Sequence, residues 1–91
     1  MAHTIREKTK LLNRVRRIRG QMEAVERALE EEKGCGNVLQ LIAGVRGAVN
    51  GLMAEVLEDH IHVHVAAPEL ARAERSEGAA ELIEVVHAYL K

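Results

Sequence analysis

Two apolar stripes of near-heptad spacing constrain this chain more than any other feature. The first runs Leu11, Val15, Ile18, Met22, Val25, Leu29; the second runs Val38, Ile42, Val45, Val49, Leu52, Val56 and continues to Val63. Alternating steps of three and four put such residues along one line of an α-helix. The spacing predicts helix 1 at about residues 5–32 and helix 2 at about residues 36–65. Gly34 and Gly36 break the pattern between them, Asn37 is available as a cap, and Pro68 follows the second stripe. A shorter stripe of Ala79, Leu82, Ile83, Val86, Tyr89 and Leu90 predicts helix 3 at about 76–90, with 66–75 as linker or an extra helical turn.

The two long helices do not suit a monomer. Each would be more than ~40 Å long, whereas a compact chain of 91 residues has a radius of gyration near ~12 Å. A lone core of this size is also only marginally able to hold a chain folded. Two antiparallel hairpins packed as a four-helix bundle remove the overhang. The expected architecture is therefore all-α: a single domain over 1–91, a three-helix subunit and an antiparallel four-helix-bundle dimer. Phe and Trp are absent, so Leu, Val, Ile and Ala must build the core. Gly44, Gly47 and Gly51 each cost about 1 kcal/mol against alanine inside helix 2, which points to close backbone approach or else to simple tolerance.

The metal-ligating side chains are split along the chain in the same way. His60 and His64 are four apart and share a helix face, the spacing at which two imidazoles can grip one ion, while His62 points elsewhere. Cys35 lies between two glycines at a helix start, where exposure and the helix dipole favour thiol reactivity. At ~1.5 Å per residue, the 25 positions from Cys35 to His60 span roughly 37 Å, so only an antiparallel partner can bring them together. With His3 near the amino terminus, the set offers one soft and three borderline donors, with the main-chain amine and water as possible additions. Such a set suits Ni(II), Co(II) or Zn(II) rather than Ca(II) or Mg(II).

The net charge of −1 hides a strong asymmetry. Residues 1–20 carry seven basic side chains against Glu7, giving +6, whereas residues 21–91 carry six basic against thirteen acidic, giving −7. Lys10, Arg14 and Arg17 form a ridge at helical spacing, Lys8, Arg16 and Arg19 extend it, and no acidic residue intervenes between Lys8 and Glu23. Such a ridge fits phosphates, and two-fold symmetry would double it. No helix-turn-helix or zinc-finger spacing is present, so DNA would meet a bundle face. A basic amphipathic helix can also lie on a membrane, but this one needs its apolar stripe for the core and has no aromatic anchors. The single cysteine excludes an internal disulfide, and no signal peptide or long apolar run is visible, so a reduced cytoplasm is the expected location.

The stretch Arg14-Val-Arg-Arg-Ile-Arg-Gly-Gln21, the lone Cys35, and Val45-Arg-Gly-Ala-Val-Asn-Gly-Leu52 running on to His60 resemble the CsoR/RcnR/FrmR family of small all-helical bacterial repressors. The resemblance covers about residues 3–64, and the Ala88-Tyr-Leu-Lys91 ending adds to it. It implies a homodimer paired into a homotetramer, which binds operator DNA when unliganded and releases it when an effector binds. Copper sensors of this family have a second cysteine where this chain has His64. The nickel/cobalt branch pairs an amino-terminal histidine with Cys, His and His, matched here by His3, Cys35, His60 and His64. Formaldehyde sensors share the Arg-rich first helix but pair their cysteine with an amino-terminal proline, where this chain has Ala2. Arg46 and Asn50 also match family positions, and the resemblance puts Arg46 on the DNA-facing surface. The resulting expectation is a Ni(II)- or Co(II)-responsive repressor and not an enzyme. Its first rival is a formaldehyde-responsive repressor acting through Cys35. A second, a metal buffer that binds no DNA, is opposed by the basic ridge.

Overall fold

The computed structural model describes residues 7–90. They form α1 (Lys8–Glu30), α2 (Cys35–His64) and α3 (Arg72–Tyr89), with no strand among the described residues. The protein is all-α.

The first connection is closed by backbone bonds characteristic of a Schellman turn. Glu32 N–H donates to Leu29 O at 3.2 Å and Lys33 N–H to Ala28 O at 3.0 Å, with Glu32 in the left-handed region at φ 54°. The reversal therefore begins at Glu32, two residues before Gly34, whose φ is 95°. Gly36 and Asn37 lie within the first turn of α2, so neither breaks a helix and Asn37 is not the cap. The third helix starts at Arg72, earlier than its apolar stripe predicts. Its opening turns are polar and are set by side chains: Glu74 accepts the Ala71 N–H at 2.8 Å, and Arg75 donates to Ala67 O at 3.1 Å and Leu70 O at 3.4 Å.

Contacts divide the described residues into two units, Glu7–Met53 and the residues from Ala54 onward, and α2 runs unbroken through the boundary. In the first unit the buried or half-buried positions of α1 are Leu11, Arg14, Ile18, Gln21, Ala24, Val25 and Ala28. Their line overlaps the predicted stripe at Leu11, Ile18 and Val25, then departs from it. Val15, Met22 and Leu29 are 42%, 55% and 60% exposed, and Ile42 and Val49 on α2 are 45% and 44% exposed. Each exposed set falls at steps of seven, one shoulder of the helix away from its packed line. Gln21 turns its side-chain oxygen into the seam, where it has no hydrogen-bond partner. Among the described residues the buried apolar side chains are Val25, Ala28 and Val45, each still 4–8% exposed.

In the second unit α3 buries Gly78 and half-buries Ala79, Leu82 and Val85, while Ile83, Val86, Tyr89 and Leu90 of its predicted stripe are exposed. No helix of the described chain is long and apolar enough to cross a membrane.

Candidate metal centre and nucleic-acid interface

His60 and His64 face a cavity of about 460 Å³ that is also lined by Glu74, Glu77, Gly78 and Glu81 of α3. Helical spacing explains the pairing: residues four apart stack on one face, and the two rings lie 4.9 Å apart between centroids at 35°. The His60 side chain is 16% exposed. Its Nε2–H donates to the Gly78 carbonyl at 2.9 Å, and Nε2 stands 3.9 Å from Glu81 Oε1. A carbonyl oxygen can only accept, so in this bond Nε2 carries a proton. His62 lies on another face, 3.9 Å from Glu58 Oε1, as its spacing requires.

The approach of α3 depends on a missing side chain. A Cβ built at Gly78 would collide with the His64 carbonyl oxygen and would stand 2.9 Å from the His64 Cβ. Sequence reasoning missed Gly78, although a lone glycine within a helix is a signal of close packing. It also missed Asp59, a carboxylate 6% exposed next to His60 in sequence. Its burial was legible from register: Asp59 stands three residues after Val56 and four before Val63, at the position where the apolar stripe of this helix would place a core residue.

Cys35 is exposed at the first residue of α2, beside a cavity of about 420 Å³ walled by Ala28, Leu29, Val38 and Leu39. His64 is the last residue of that same helix of 30 residues. No group of three or more His, Cys, Asp or Glu side chains among the described residues could hold a metal ion. His3 lies outside the described residues. The donors present nonetheless fit a borderline cation: paired imidazole nitrogens in one cavity and an exposed thiol elsewhere.

Of the basic ridge, Lys8, Lys10, Arg16, Arg17 and Arg19 are exposed on α1, as is Arg46 on α2. Arg16 donates to Asn13 Oδ1 at 3.3 Å. Arg14 differs, being half-buried with its guanidinium against Gly51, where an added Cβ would stand 3.0 Å from Arg14 Nη1. Gly51 thus makes room for a side chain, whereas Gly44 and Gly47 have open space around the missing Cβ.

A helical frame with a histidine pair, an exposed thiol and a cationic first helix is that of a small all-α ligand-sensing regulator. The model of the metal-sensitive transcriptional repressor family matches residues 7–88, and the chain belongs to that family. It is 54% identical over all 91 residues to an uncharacterized protein in the bioA 5′ region of Serratia marcescens, the full length of both chains. It is 43% identical, again over the full length of both, to the transcriptional repressor RcnR of Salmonella paratyphi B. Among solved structures it resembles a variant of the formaldehyde-responsive regulator FrmR from Salmonella enterica serovar Typhimurium. The TM-score is 0.85 at 48% identity, covering 92% of this chain and 94% of that one. The family consists of transcriptional repressors, not enzymes.

Proposed function

We propose that this protein is a cytoplasmic repressor that binds operator DNA in its metal-free form and releases it on binding Ni(II) or Co(II), with Zn(II) as a further candidate, so controlling metal efflux. The observation that carries this reading is the divided donor set: His60 and His64 share one cavity, while Cys35 lies at the far end of the same helix. Completing the set requires Cys35 of one subunit to meet His60 and His64 of another, with His3 as the fourth ligand. The exposed rows at Val15, Met22 and Leu29 and at Ile42 and Val49 support such a partner, since their burial on assembly contributes roughly 1.5–3 kcal/mol per fully covered side chain. The working form is a homodimer, paired further into a homotetramer. Lys8, Lys10, Arg16, Arg17, Arg19 and Arg46 meet DNA phosphates, with Arg14 at the edge of that surface.

Cys35 of one subunit with His60 and His64 of another would hold the metal, which would add a link across the subunit boundary to the apolar contacts there. Its coupling to DNA comes from favouring one bundle geometry over another.

The rival effector is formaldehyde acting on Cys35, and the exposure of that thiol and the likeness to the formaldehyde-responsive regulator favour it. Against it stands position 64. His64 shares one cavity with His60 and gives that site a second imidazole donor, which a thiol-based sensor does not call for. Operator binding should therefore be titrated with Ni(II), Co(II), Zn(II) and formaldehyde. Release by Ni(II) or Co(II), lost in His64→Ala while apo binding survives, is the expected result. Release by formaldehyde alone overturns the metal reading.

A further inference from the structure

We propose that Gly51 is a positioning residue for the cationic surface: its bare Cα seats the guanidinium of Arg14 against α2 and so holds one charge of the α1 ridge ready for a nucleic-acid phosphate. The phosphate rests on the DNA reading above; the seat does not.

Within the hairpin unit Glu7–Met53, Arg14 stands on the same helical line as Lys10 and Arg17, at steps of four and three. Those two side chains are exposed, whereas Arg14 is half-buried and its guanidinium lies across the seam on α2. A Cβ at Gly51 would stand 3.0 Å from Nη1 and 3.9 Å from Cζ of Arg14, the first of these closer than ordinary van der Waals contact. Alanine there must therefore move the guanidinium. Gly44 and Gly47 on the same helix have nothing within 4 Å of the missing Cβ, so of these three glycines only Gly51 forms a notch. What would move is the end of a flexible side chain and not backbone, so the displacement costs the fold little and its effect falls on where the charge stands. A long cation that is already seated has less rotamer freedom to lose when a phosphate takes it up than one moving in solvent. Arg14 makes a further contact in the folded chain. A guanidinium carries five N–H donors and stays charged, so such a contact adds to the seat and leaves donors for a phosphate. The seat also carries the charge of the ridge from α1 onto α2, the helix on which Arg46 is exposed.

Binding of the full-length protein to a mixed-sequence DNA duplex, followed between about 50 and 200 mM salt, reads phosphate contacts independently of any operator. Gly51→Ala should weaken binding about 10-fold, the effect of losing one charge-assisted hydrogen bond, and lower the slope of log K against log salt by about 0.9 for each Arg14 displaced. Its melting temperature should not fall below that of wild type, because alanine is the better helix former. Gly47→Ala should bind as wild type does. In an Arg14→Ala background, Gly51→Ala should change neither affinity nor slope further. Proton NMR of the metal-free wild type should show cross-peaks between the Arg14 guanidinium and the Gly51 α-protons, and their absence overturns the proposal without reference to any variant. So does unchanged or tighter binding by Gly51→Ala, an equal loss in Gly47→Ala, or a loss that persists once Arg14 is removed. A Gly51→Ala protein that melts well below wild type assigns the glycine to helix packing and overturns it as well. Should wild type bind no duplex while the cross-peaks are present, the DNA reading fails and the seat stands.

Discussion

The hairpin of residues 7–53 and the unit from Ala54 onward solve opposite packing problems with the same helix. In the hairpin, apolar side chains exceed the surfaces available to cover them: Met22 and Leu29 remain more than half exposed, Gly44 and Gly47 face open space, and Gln21 buries an unmatched oxygen. In the second unit the limit is room. Gly78 comes so close to α2 that a methyl group is excluded, and a hydrogen bond to His60 fills the contact. The hairpin leaves an apolar row uncovered beside its seam, whereas in the second unit the seam itself is tight and the apolar residues left uncovered lie on the far side of α3. A buried acceptor without a donor loses roughly 1–3 kcal/mol, which a partner surface can recover.

The largest effect should come from spoiling the exposed rows of the hairpin. At an ordinary surface position a substitution moves stability by no more than about 0.5 kcal/mol. If a second copy covers Ile42, Ile42→Asp places an unpaired charge in an apolar interface, and losses on the order of 3 kcal/mol or more are expected. Sedimentation should then show monomer, with helix content falling at dilution. An Ile42→Asp protein that keeps wild-type mass and melting temperature would show that this row is plain surface.

Glycine substitution separates the two regions by sign. Gly78→Ala forces α3 away from His64 and should lower stability by about 1–3 kcal/mol. Gly47→Ala meets nothing within 4 Å and should raise it by up to about 1 kcal/mol, through better helix propensity. Thermal melts of both variants at one protein concentration make the comparison. A destabilised Gly47→Ala would place another chain against that face.

The helices were legible because a repeat of three and four has few readings other than an amphipathic helix. Which neighbour covers each stripe was not legible: the row Leu11, Ile18, Val25 is half-buried or buried in the hairpin, while Val15 and Met22 belong to the same pattern and are left exposed. Hydrophobicity records that a face must be covered but not by which surface. The early start of α3 was hidden because Arg72–Glu77 is held by Glu74 and Arg75, with no apolar period. In the site, the separation of His62 from His60 and His64 followed from helical spacing alone. The Gly78 carbonyl did not, since a backbone acceptor leaves no mark on the residue that carries it.

The smallest effect tests the turn that leads into the exposed thiol. Glu32 holds φ 54°, a conformation that crowds the Cβ of any L-residue and that glycine adopts without strain. Its two neighbouring hydrogen bonds, Glu32 to Leu29 and Lys33 to Ala28, are made by backbone alone and would survive the loss of the side chain. Glu32→Gly relieves about 1 kcal/mol of left-handed strain and gives back part of it as greater unfolded-state freedom, leaving a net gain of roughly 0.5 kcal/mol. For a chain of this size that is a rise of about 2–4 °C in melting temperature. The substitution changes neither the exposed rows of the hairpin nor the Gly78 contact, so subunit assembly should be unchanged. A fall in melting temperature would mean that the Glu32 side chain makes contacts in the assembled protein worth more than its backbone strain, which would extend the unfinished surface of the hairpin to its turn.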